Sequence, residues 1–257
     1  MSAPTLPDVG SDPRRLIPLT AVHNFRDLGG YPAADGRSTR WRALFRADGL
    51  YRLAGDDLEA VRELGLRTVI DLRSDAELAE RGTFPHEEHP VTFHHVPVID
   101  STWQHLDRSE ADEPVAFLEW AYNDMLRQGP HRFVEAIEQL SQVDALPAVF
   151  HCAAGKDRTG VLAMLLLGSL GVPHDYIVAD YALTRAGIER MRVWAQRESP
   201  DLWARLADTP TAFMAAVPEA MSRVIDGICL DGSIRDYTLS LGVSPAALER
   251  LADQLLE

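Results

Sequence analysis

Ten residues near the middle of the chain combine a cysteine, a glycine and an arginine in a pattern that suits chemistry on an anion. They read HCAAGKDRTG, from His151 to Gly160, and place Cys152 six residues before Arg158. The spacing alone is weak evidence, because Cys229 and Arg235 of the same chain share it. Only the first pair follows a short apolar run and leads into an apolar helical segment, whereas DYTLSLGVSP after Cys229 offers no clean helix start.

The loop that begins at Cys152 is predicted to join the end of a strand to the start of a helix. Such a loop directs backbone N–H groups at a bound anion, and the helix dipole adds positive potential. A cysteine in these surroundings is favoured as the thiolate, which is the nucleophilic form. Arg158 can bind two phosphate oxygens with its planar guanidinium, and Gly155 allows the tight backbone turn. We therefore predict that Cys152 is a nucleophile that attacks a phosphate held by the loop and by Arg158.

The other residues of this loop have predicted supporting roles. The Thr159 hydroxyl is placed to donate a hydrogen bond to the Cys152 sulfur, and His151 is expected to orient the loop. Lys156 is the single lysine of the chain. The residues expected to surround the phosphate are Ala153, Ala154, Gly155, Lys156 and Thr159.

The predicted reaction has two steps and requires no metal or other cofactor. The thiolate takes the phosphoryl group and releases an alcohol or a phenol, and water then hydrolyses the cysteinyl-phosphate. The histidines upstream show no spacing typical of metal ligands; they are His23, His86, His89, His94 and His95.

The segment HCAAGKDRTG resembles the signature loop of the protein-tyrosine phosphatase superfamily, whose motif is Cys-X5-Arg. With the upstream NFRDLGGY it resembles the atypical bacterial branch typified by mycobacterial tyrosine phosphatase B, over residues 15–185 and again in PEAM and GSIRDYTLSLGVS. The resemblance implies phosphotyrosine as substrate, with phosphoserine, phosphothreonine and phosphoinositides as further substrates. It also implies lipid headgroup recognition by Lys156 and Asp157, and a helical cover over the site, for which residues 198–222 are the candidate.

The general acid that protonates the leaving group is the role with the most candidates. The WPD tripeptide of many tyrosine phosphatases is absent. Asp157 lies inside the loop, where the resemblance implies that an aspartate can serve; Asp100 ends HHVPVID, and Asp71 lies in TVIDLRS. Asp157 is preferred over Asp100, and both over Asp71, which has the alternative role of a buried partner for Arg26 or Arg73. The alternative role for Asp100 is an Asx turn.

Five charged residues lie in apolar segments near the N-terminal motif. Charged side chains are rarely buried without a partner. We therefore expect an ion-pair network that holds this motif against the sheet and supports the site. Its candidate members are Arg26, Asp27, Arg46, Asp48 and Arg73.

The alternation of short apolar runs with helical periodicity predicts an α/β fold with a mostly parallel central sheet flanked by helices. Residues 1–257 are predicted to form a single phosphatase domain, with an extended arm at 1–20 and mostly helical structure after Pro173. Residues 198–222 are predicted as a helical insertion or lid, and the alternative is that Trp203, Phe213 and Met214 simply pack on the body. The segments expected to be strands are 40–48, 68–72, 92–99 and 148–151, and the expected helices are 54–64, 115–126, 132–140, 160–170, 174–197, 201–206, 211–226 and 244–256.

Composition excludes several classes of function. The net charge of −14 disfavours a nucleic-acid partner, which needs a basic face. Two cysteines cannot form a disulfide framework, and no apolar run is long enough to span a membrane. The N-terminal residues lack the pattern of a secretory signal, so a cytoplasmic location is expected, with signal-less secretion left open. The sequence gives no oligomeric state.

Three other functions remain open at this point. One is a phosphatase that acts only on inositol phosphates or phosphoinositides. Another is rhodanese-type or arsenate-reductase-type thiol chemistry, although Cys229 as a resolving thiol lies far along the chain. The last is a phosphate-binding module without activity, which would normally show damage in the loop.

Overall fold

The computed structural model describes residues 5–99, 113–209 and 211–257, and a five-stranded sheet forms the centre of this part of the chain. The strand order is β1-β2-β5-β3-β4. β1 is antiparallel to β2, and the other neighbouring strands are parallel. The strands are β1 (Arg26–Asp27), β2 (Leu44–Ala47), β3 (Thr68–Asp71), β4 (Thr92–His95) and β5 (Ala148–His151). The predicted α/β fold with a mostly parallel sheet is confirmed.

Helices flank the sheet and form most of the C-terminal half. They are α1 (Gly55–Arg62), α2 (Asp75–Arg81), α3 (Pro114–Gln128), α4 (Pro130–Leu140), α5 (Asp157–Ser169), α6 (His174–Ala182), α7 (Thr184–Glu198), α8 (Pro200–Asp208), α9 (Thr211–Met214), α10 (Pro218–Ile228), α11 (Ile234–Ser240) and α12 (Pro245–Leu255). A short 3-10 helix, Leu50–Arg52, follows β2.

The central strand β5 is buried on both faces, as expected for a parallel strand covered by helices. Phe150 packs into the larger core on the α5 side, and Val149 packs into a second core that includes Phe25 and Phe45. Because successive side chains of a strand point to opposite faces, the short apolar run of β5 contributes to both cores. The strand therefore holds the loop that follows it in a fixed position.

Helix α5 follows the loop and is apolar over most of its length. Its residues from Arg158 to Leu167 are all buried. A side chain at Gly160 would press on Tyr181 of α6, and one at Gly168 would collide with Ile234 of α11. The helices after Pro173 therefore pack closely around α5 and keep its N-terminus in place.

Several local predictions were wrong. The strand expected at 92–99 ends at His95, and the helices expected at 174–197 and 211–226 are each divided in two. The strand expected at 40–48 is shorter, since Arg42 has a φ of 59° and the residues before β2 form a turn. Helix α2 was missed, although Ser74 and Glu77 form a capping box at its start. The segment after Cys229 does contain a helix start, because Ser233 and Asp236 form the capping box of α11.

The segment proposed as an insertion or lid forms α8, α9 and the beginning of α10. Trp203 and Met214 join a small cluster around Met191 and Ala195 of α7. The ring of Phe213 lies 4.8 Å from that of Phe117, measured between centroids. The aromatic residues of this segment thus pack on the body, and the role of the segment as a cover stays a prediction, as does the single-domain assignment.

None of the helices in the described ranges combines the length and the apolar character that a membrane span needs.

Candidate active site

The loop from Cys152 to Lys156 lies between the central strand β5 and the N-terminus of α5. Cys152 is buried, with 2% of its surface exposed. The first turn of a helix has backbone N–H groups without intrahelical partners, and its dipole favours negative charge. The structure therefore places the cysteine and the start of α5 together, as the sequence predicted.

The carbonyl oxygens of residues 153–155 are all bound from outside the loop. The backbone N–H of Gly49 donates to the first carbonyl over 3.1 Å. The side-chain amide of Asn24 donates to the next two over 3.0 and 3.1 Å, and the Arg46 guanidinium donates to the carbonyl of Gly155 over 2.8 Å. With these carbonyls engaged from behind, the loop's N–H groups are left for an anion on its inner side.

Gly155 cannot be replaced without moving the backbone. Its φ is +64°, a conformation that L side chains rarely adopt. A Cβ there would also lie 2.5 Å from the carbonyl oxygen of Ala47 and 2.8 Å from the backbone nitrogen of Asp48. The glycine thus allows both the turn and the close approach of the loop to the end of β2.

Arg158 is held by Glu77, a residue that the sequence analysis missed. The two guanidinium NH groups donate to the two Glu77 carboxylate oxygens over 2.5 and 3.0 Å. Burial raises the pKa of Glu77, but the hydrogen bonds and charge of Arg158 outweigh it and lower the pKa to about 2. Glu77 also accepts a hydrogen bond from the backbone N–H of Ser74. The available signal was the Ser-X-X-Glu capping pattern from Ser74 to Glu77.

Asp157 is held by two side chains at the start of α5. Its Oδ1 accepts a hydrogen bond from the Tyr122 hydroxyl over 2.8 Å and lies 3.0 Å from Lys156 Nζ. The Tyr122 hydroxyl also lies 2.5 Å from the Tyr181 hydroxyl. Burial and the Asp157 charge raise the pKa of Tyr122 well above its usual value, so Tyr122 is a permanent donor. The Asp157 side chain itself is 22% exposed.

Lys156 connects the loop with the proposed cover. Its ammonium group is buried and donates to the carbonyl oxygen of Ala215 over 3.0 Å. Ala215 lies between α9 and α10. The single lysine of the chain therefore contacts both Asp157 and the segment that follows α9.

His151 and Asp71 lie behind the loop, at the ends of β5 and β3. His151 Nε2 is 3.5 Å from Asp71 Oδ2, and its Nδ1 is 3.4 Å from the carbonyl oxygen of Cys152. Burial lowers the pKa of His151, which favours the neutral ring. Arg73 donates to both carboxylate oxygens of Asp71, with a shortest distance of 2.6 Å. Asp71 is fully buried in this pair, which matches its alternative role as a partner of Arg73.

For two predicted site residues, Thr159 and Asp100, the described part of the structure shows no contact that defines their role. The Thr159 hydroxyl is buried and has no hydrogen-bond partner in the part of the chain that the structure describes, so the predicted donation to the Cys152 sulfur is not observed. Asp100 lies outside the described residues. Within the described ranges, no three His, Cys, Asp or Glu side chains form a group that could hold a metal ion.

The expected ion-pair network exists, but its central carboxylate was missed. Asp180 of α6 accepts from Arg26 Nε over 2.9 Å and from Arg46 NH1 over 2.6 Å. The predicted members Asp27 and Asp48 have other partners. The Asp27 carboxylate accepts from the backbone N–H groups of Gly29 and Arg42, and Asp48 pairs with Arg52.

The second Cys-X5-Arg pair also has its arginine in the first turn of a helix, but its cysteine follows a helix and not a strand. Cys229 ends α10, and its sulfur is 3.7 Å from His174 Nε2. Arg235 lies in α11 and donates to the carbonyl of Ser169. The strand-to-helix context thus separates the two pairs, as predicted.

Comparison with known proteins agrees with this geometry. A model of the tyrosine phosphatase family matches residues 17–257. The chain belongs to the tyrosine phosphatase family. The predicted resemblance is confirmed at that level.

Individual relatives differ in how much of their length is matched. A relative from Cupriavidus necator is 35% identical over 177 residues, which cover 65% of this chain and 62% of that protein. The triple specificity protein phosphatase PtpB of Mycobacterium tuberculosis is 28% identical over 93% of this chain and 98% of its own. The solved structure of TpbA from P. aeruginosa is 15% identical, and the match covers 77% of this chain and 99% of that chain with a TM-score of 0.34.

A comparison of two glycine-to-alanine variants tests the close approach at Gly155. Gly65 also has a positive φ, +68°, but open space around its Cβ position. We expect Gly65→Ala to lose about 1 kcal/mol of unfolding free energy and to keep its activity. Gly155→Ala should lose more stability and at least ~100-fold in kcat/KM, since the loop must shift. Equal losses in both variants, measured by urea unfolding and phosphate release, would contradict this account.

The Glu77–Arg158 pair predicts a pH dependence of stability. Because the folded pKa of Glu77 is about 2 and its ordinary value is 4.5, the pair stabilises the fold above pH 4.5 and loses this effect as the pH falls toward 2. Between pH 5 and pH 2 the free energy of unfolding, measured with urea, should fall by about 3 kcal/mol less in Glu77→Gln than in the wild type. Glu63→Gln, at an exposed position, is the matched control and should behave as the wild type does. Parallel curves for wild type and Glu77→Gln would exclude the pair as a stabilising contact.

Proposed function

We propose that this chain is a cysteine-dependent phosphomonoester hydrolase that acts on phosphotyrosine in proteins through a phosphorylated Cys152. The observation that carries the proposal is the loop whose carbonyls are bound from behind by Gly49, Asn24 and Arg46. This arrangement leaves its amides, the start of α5 and Arg158 for a phosphate next to the cysteine. Membership of the tyrosine phosphatase family supports the same reaction.

The proposed reaction proceeds by two displacements at phosphorus. The Cys152 thiolate attacks in line, the S–P bond forms, and the bond from phosphorus to the leaving oxygen breaks. A general acid protonates that oxygen. Water then attacks the cysteinyl-phosphate, the S–P bond breaks, and orthophosphate leaves with the thiolate restored. The loop amides and Arg158 stabilise the charge on the equatorial oxygens in both steps.

For the general acid we propose Asp157, with Asp100 as the alternative. The Asp157 carboxyl is partly exposed at the start of α5 and is held by Tyr122 and Lys156, so it has a defined position beside the loop. Tyr122 is then a positioning residue for the acid. Asp71 is disfavoured, because Arg73 binds both of its oxygens in a fully buried pair.

The proposed substrate range extends to phosphoserine, phosphothreonine and phosphoinositides. The name of the mycobacterial relative attributes triple specificity to that protein. In this chain the candidate for headgroup recognition is Lys156, whose ammonium group is bound to Ala215 and Asp157. A headgroup that binds Lys156 has to replace the Ala215 carbonyl, which requires the segment between α9 and α10 to move. This is the sense in which we propose residues 198–222 as a helical cover.

Phosphate release in the presence of EDTA tests the proposal. The substrates are an aryl phosphate, a phosphotyrosine peptide, a phosphoserine peptide and a panel of phosphoinositides. We expect turnover of the aryl phosphate and the phosphotyrosine peptide by the wild type, and none by Cys152→Ser. Cys229→Ser is the matched control and should be fully active, because Cys229 follows the C-terminal end of α10, whereas Lys156 of the loop contacts Ala215 before the other end of that helix. Turnover that survives Cys152→Ser, or that EDTA removes, would overturn the mechanism.

The same assay separates the two candidates for the general acid. A proton donor contributes about 10²–10⁴-fold, and it matters most for a leaving group of high pKa. Asp157→Asn should therefore slow the hydrolysis of phenyl phosphate far more than that of nitrophenyl phosphate. Tyr122→Phe should show a smaller effect of the same kind. If Asp100→Asn shows this selectivity and Asp157→Asn does not, Asp100 is the general acid.

A further inference from the structure

A cavity lined by arginines lies next to Asn24, between the N-terminal segment 10–26 and residues 183–190. Its volume is about 160 Å³. Three arginines line it, and no Asp or Glu of the described ranges does. The lining residues are Gly10, Arg15, Leu16, Asn24, Arg26, Leu183, Ala186 and Arg190. Such a concentration of guanidinium groups without a facing carboxylate is unusual in a chain of net charge −14.

Arg15 is buried, with 4% of its surface exposed, and has no carboxylate partner among the described residues. Its Nε donates to the carbonyl of Val9, and its NH1 donates to the carbonyls of Asp27 and Gly29 over 2.7 and 2.6 Å. Its NH2 makes no hydrogen bond within the part of the chain that is described. A buried guanidinium with an unused donor edge at a cavity is suited to bind an oxyanion.

Arg190 of α7 also lines the cavity. Its Nε and NH2 both donate to a single acceptor, the carbonyl of His23, over 3.2 and 2.8 Å. Its NH1 has no partner in the described ranges. Burial and the charge of Arg26 lower the pKa of Arg190, and the charge of Asp48 opposes this shift only in part. An anion in the cavity would relieve both effects.

The carboxylates in this region are already engaged. Asp180 is shared by Arg26 and Arg46, and none of its contacts is with Arg15 or Arg190. Asp48 pairs with Arg52. The Asp27 carboxylate accepts from backbone amides. Asp27 interacts electrostatically with Arg15, and Asp48 with Arg190, but neither arginine forms an ion pair within the described ranges. The unbonded N–H groups of both arginines are thus left for a ligand.

We propose that this cavity binds a tetrahedral oxyanion at a site separate from the catalytic loop, as orthophosphate or as a phosphate group of a larger ligand. Arg15 and Arg190 bind the anion directly, and Arg26 adds charge from the base. Asn24 lines the cavity and also binds the outward carbonyls of Ala154 and Gly155, so the site lies behind the loop and not on its amide side. The proposal does not depend on the proposed catalytic activity.

Crystals soaked in selenate test the site, because anomalous scattering locates the anion directly. In the wild type we expect one selenate in the loop 152–158 and a second between Arg15 and Arg190. Arg190→Gln should lose the second ion and keep the first, which also shows that the loop is intact. Arg197→Gln, on the exposed side of the same helix, is the matched control and should keep both. The absence of the second ion in the wild type, or its persistence in Arg190→Gln, would overturn the proposal.

Equilibrium dialysis in solution distinguishes the sources of the anion. The wild type should bind two orthophosphates per chain, and Arg190→Gln one. An inositol bisphosphate that displaces the second orthophosphate in the wild type assigns the site to a phosphate group of a larger ligand. If that ligand displaces only one orthophosphate, and does so equally in wild type and Arg190→Gln, it binds the loop alone and the cavity is a site for free orthophosphate. Binding of one orthophosphate by both proteins would show that the cavity does not bind the anion.

Discussion

One buried carboxylate, that of Asp180, is shared by two arginines on which the shape of the catalytic loop depends. Arg26 acts on the loop through Asn24. It donates a hydrogen bond to Asn24 Oδ1, and the side-chain NH2 of Asn24 donates to two loop carbonyls. Arg46 binds the carbonyl of Gly155 directly. A buried ion pair is weak evidence for stability, because desolvation offsets the attraction. Here the ion pair orients the two guanidinium groups. Asp180 holds Arg26 and Arg46 in the positions from which Arg26 binds Asn24 and Arg46 binds the loop.

The same region explains how an acidic chain can hold a phosphate. The net charge of −14 is a sum over the whole chain, whereas a bound anion responds to the electrostatic potential at its own position. Behind the loop, Arg26 and Arg46 share a single carboxylate, and the start of α5 adds positive potential beside it, where Arg158 is paired with Glu77. Burial and the charge of Arg26 lower the pKa of Arg46 to about 10. Positive charge is thus concentrated behind and beside the loop, and a phosphate dianion or a thiolate would be stabilised by it.

The sequence predicted the parts of the site that are local in the chain. The strand β5 has its predicted bounds, because a short apolar run before a glycine-containing loop has few other interpretations. The positions of Cys152, Gly155 and Arg158 in the loop and at the start of the helix could be predicted from their order along the chain. The capping boxes that start α2 and α11 were visible as Ser-X-X-Glu and Ser-X-X-Asp patterns and were overlooked.

The partners of these residues could not be predicted, because pairing between distant elements leaves no local pattern. Glu77, Tyr122 and Asp180 lie on α2, α3 and α6, and each meets the site only through tertiary packing. An aspartate in the largely apolar helix α6 was the one signal for Asp180, since a buried charge needs a partner. The helix expected at 174–197 is divided at Leu183 without a glycine or proline to mark the break.

Trapping the phosphoryl group on Cys152 tests most directly whether the reaction passes through this residue. Wild-type protein is mixed with a radiolabelled phosphotyrosine peptide, quenched within one turnover and digested, and the labelled peptide is identified by mass spectrometry. We expect a phosphoryl group on the peptide that contains Cys152, present also in Cys229→Ser and absent in Cys152→Ser. Label on another residue, or rapid turnover of Cys152→Ser without any labelled protein, would contradict it.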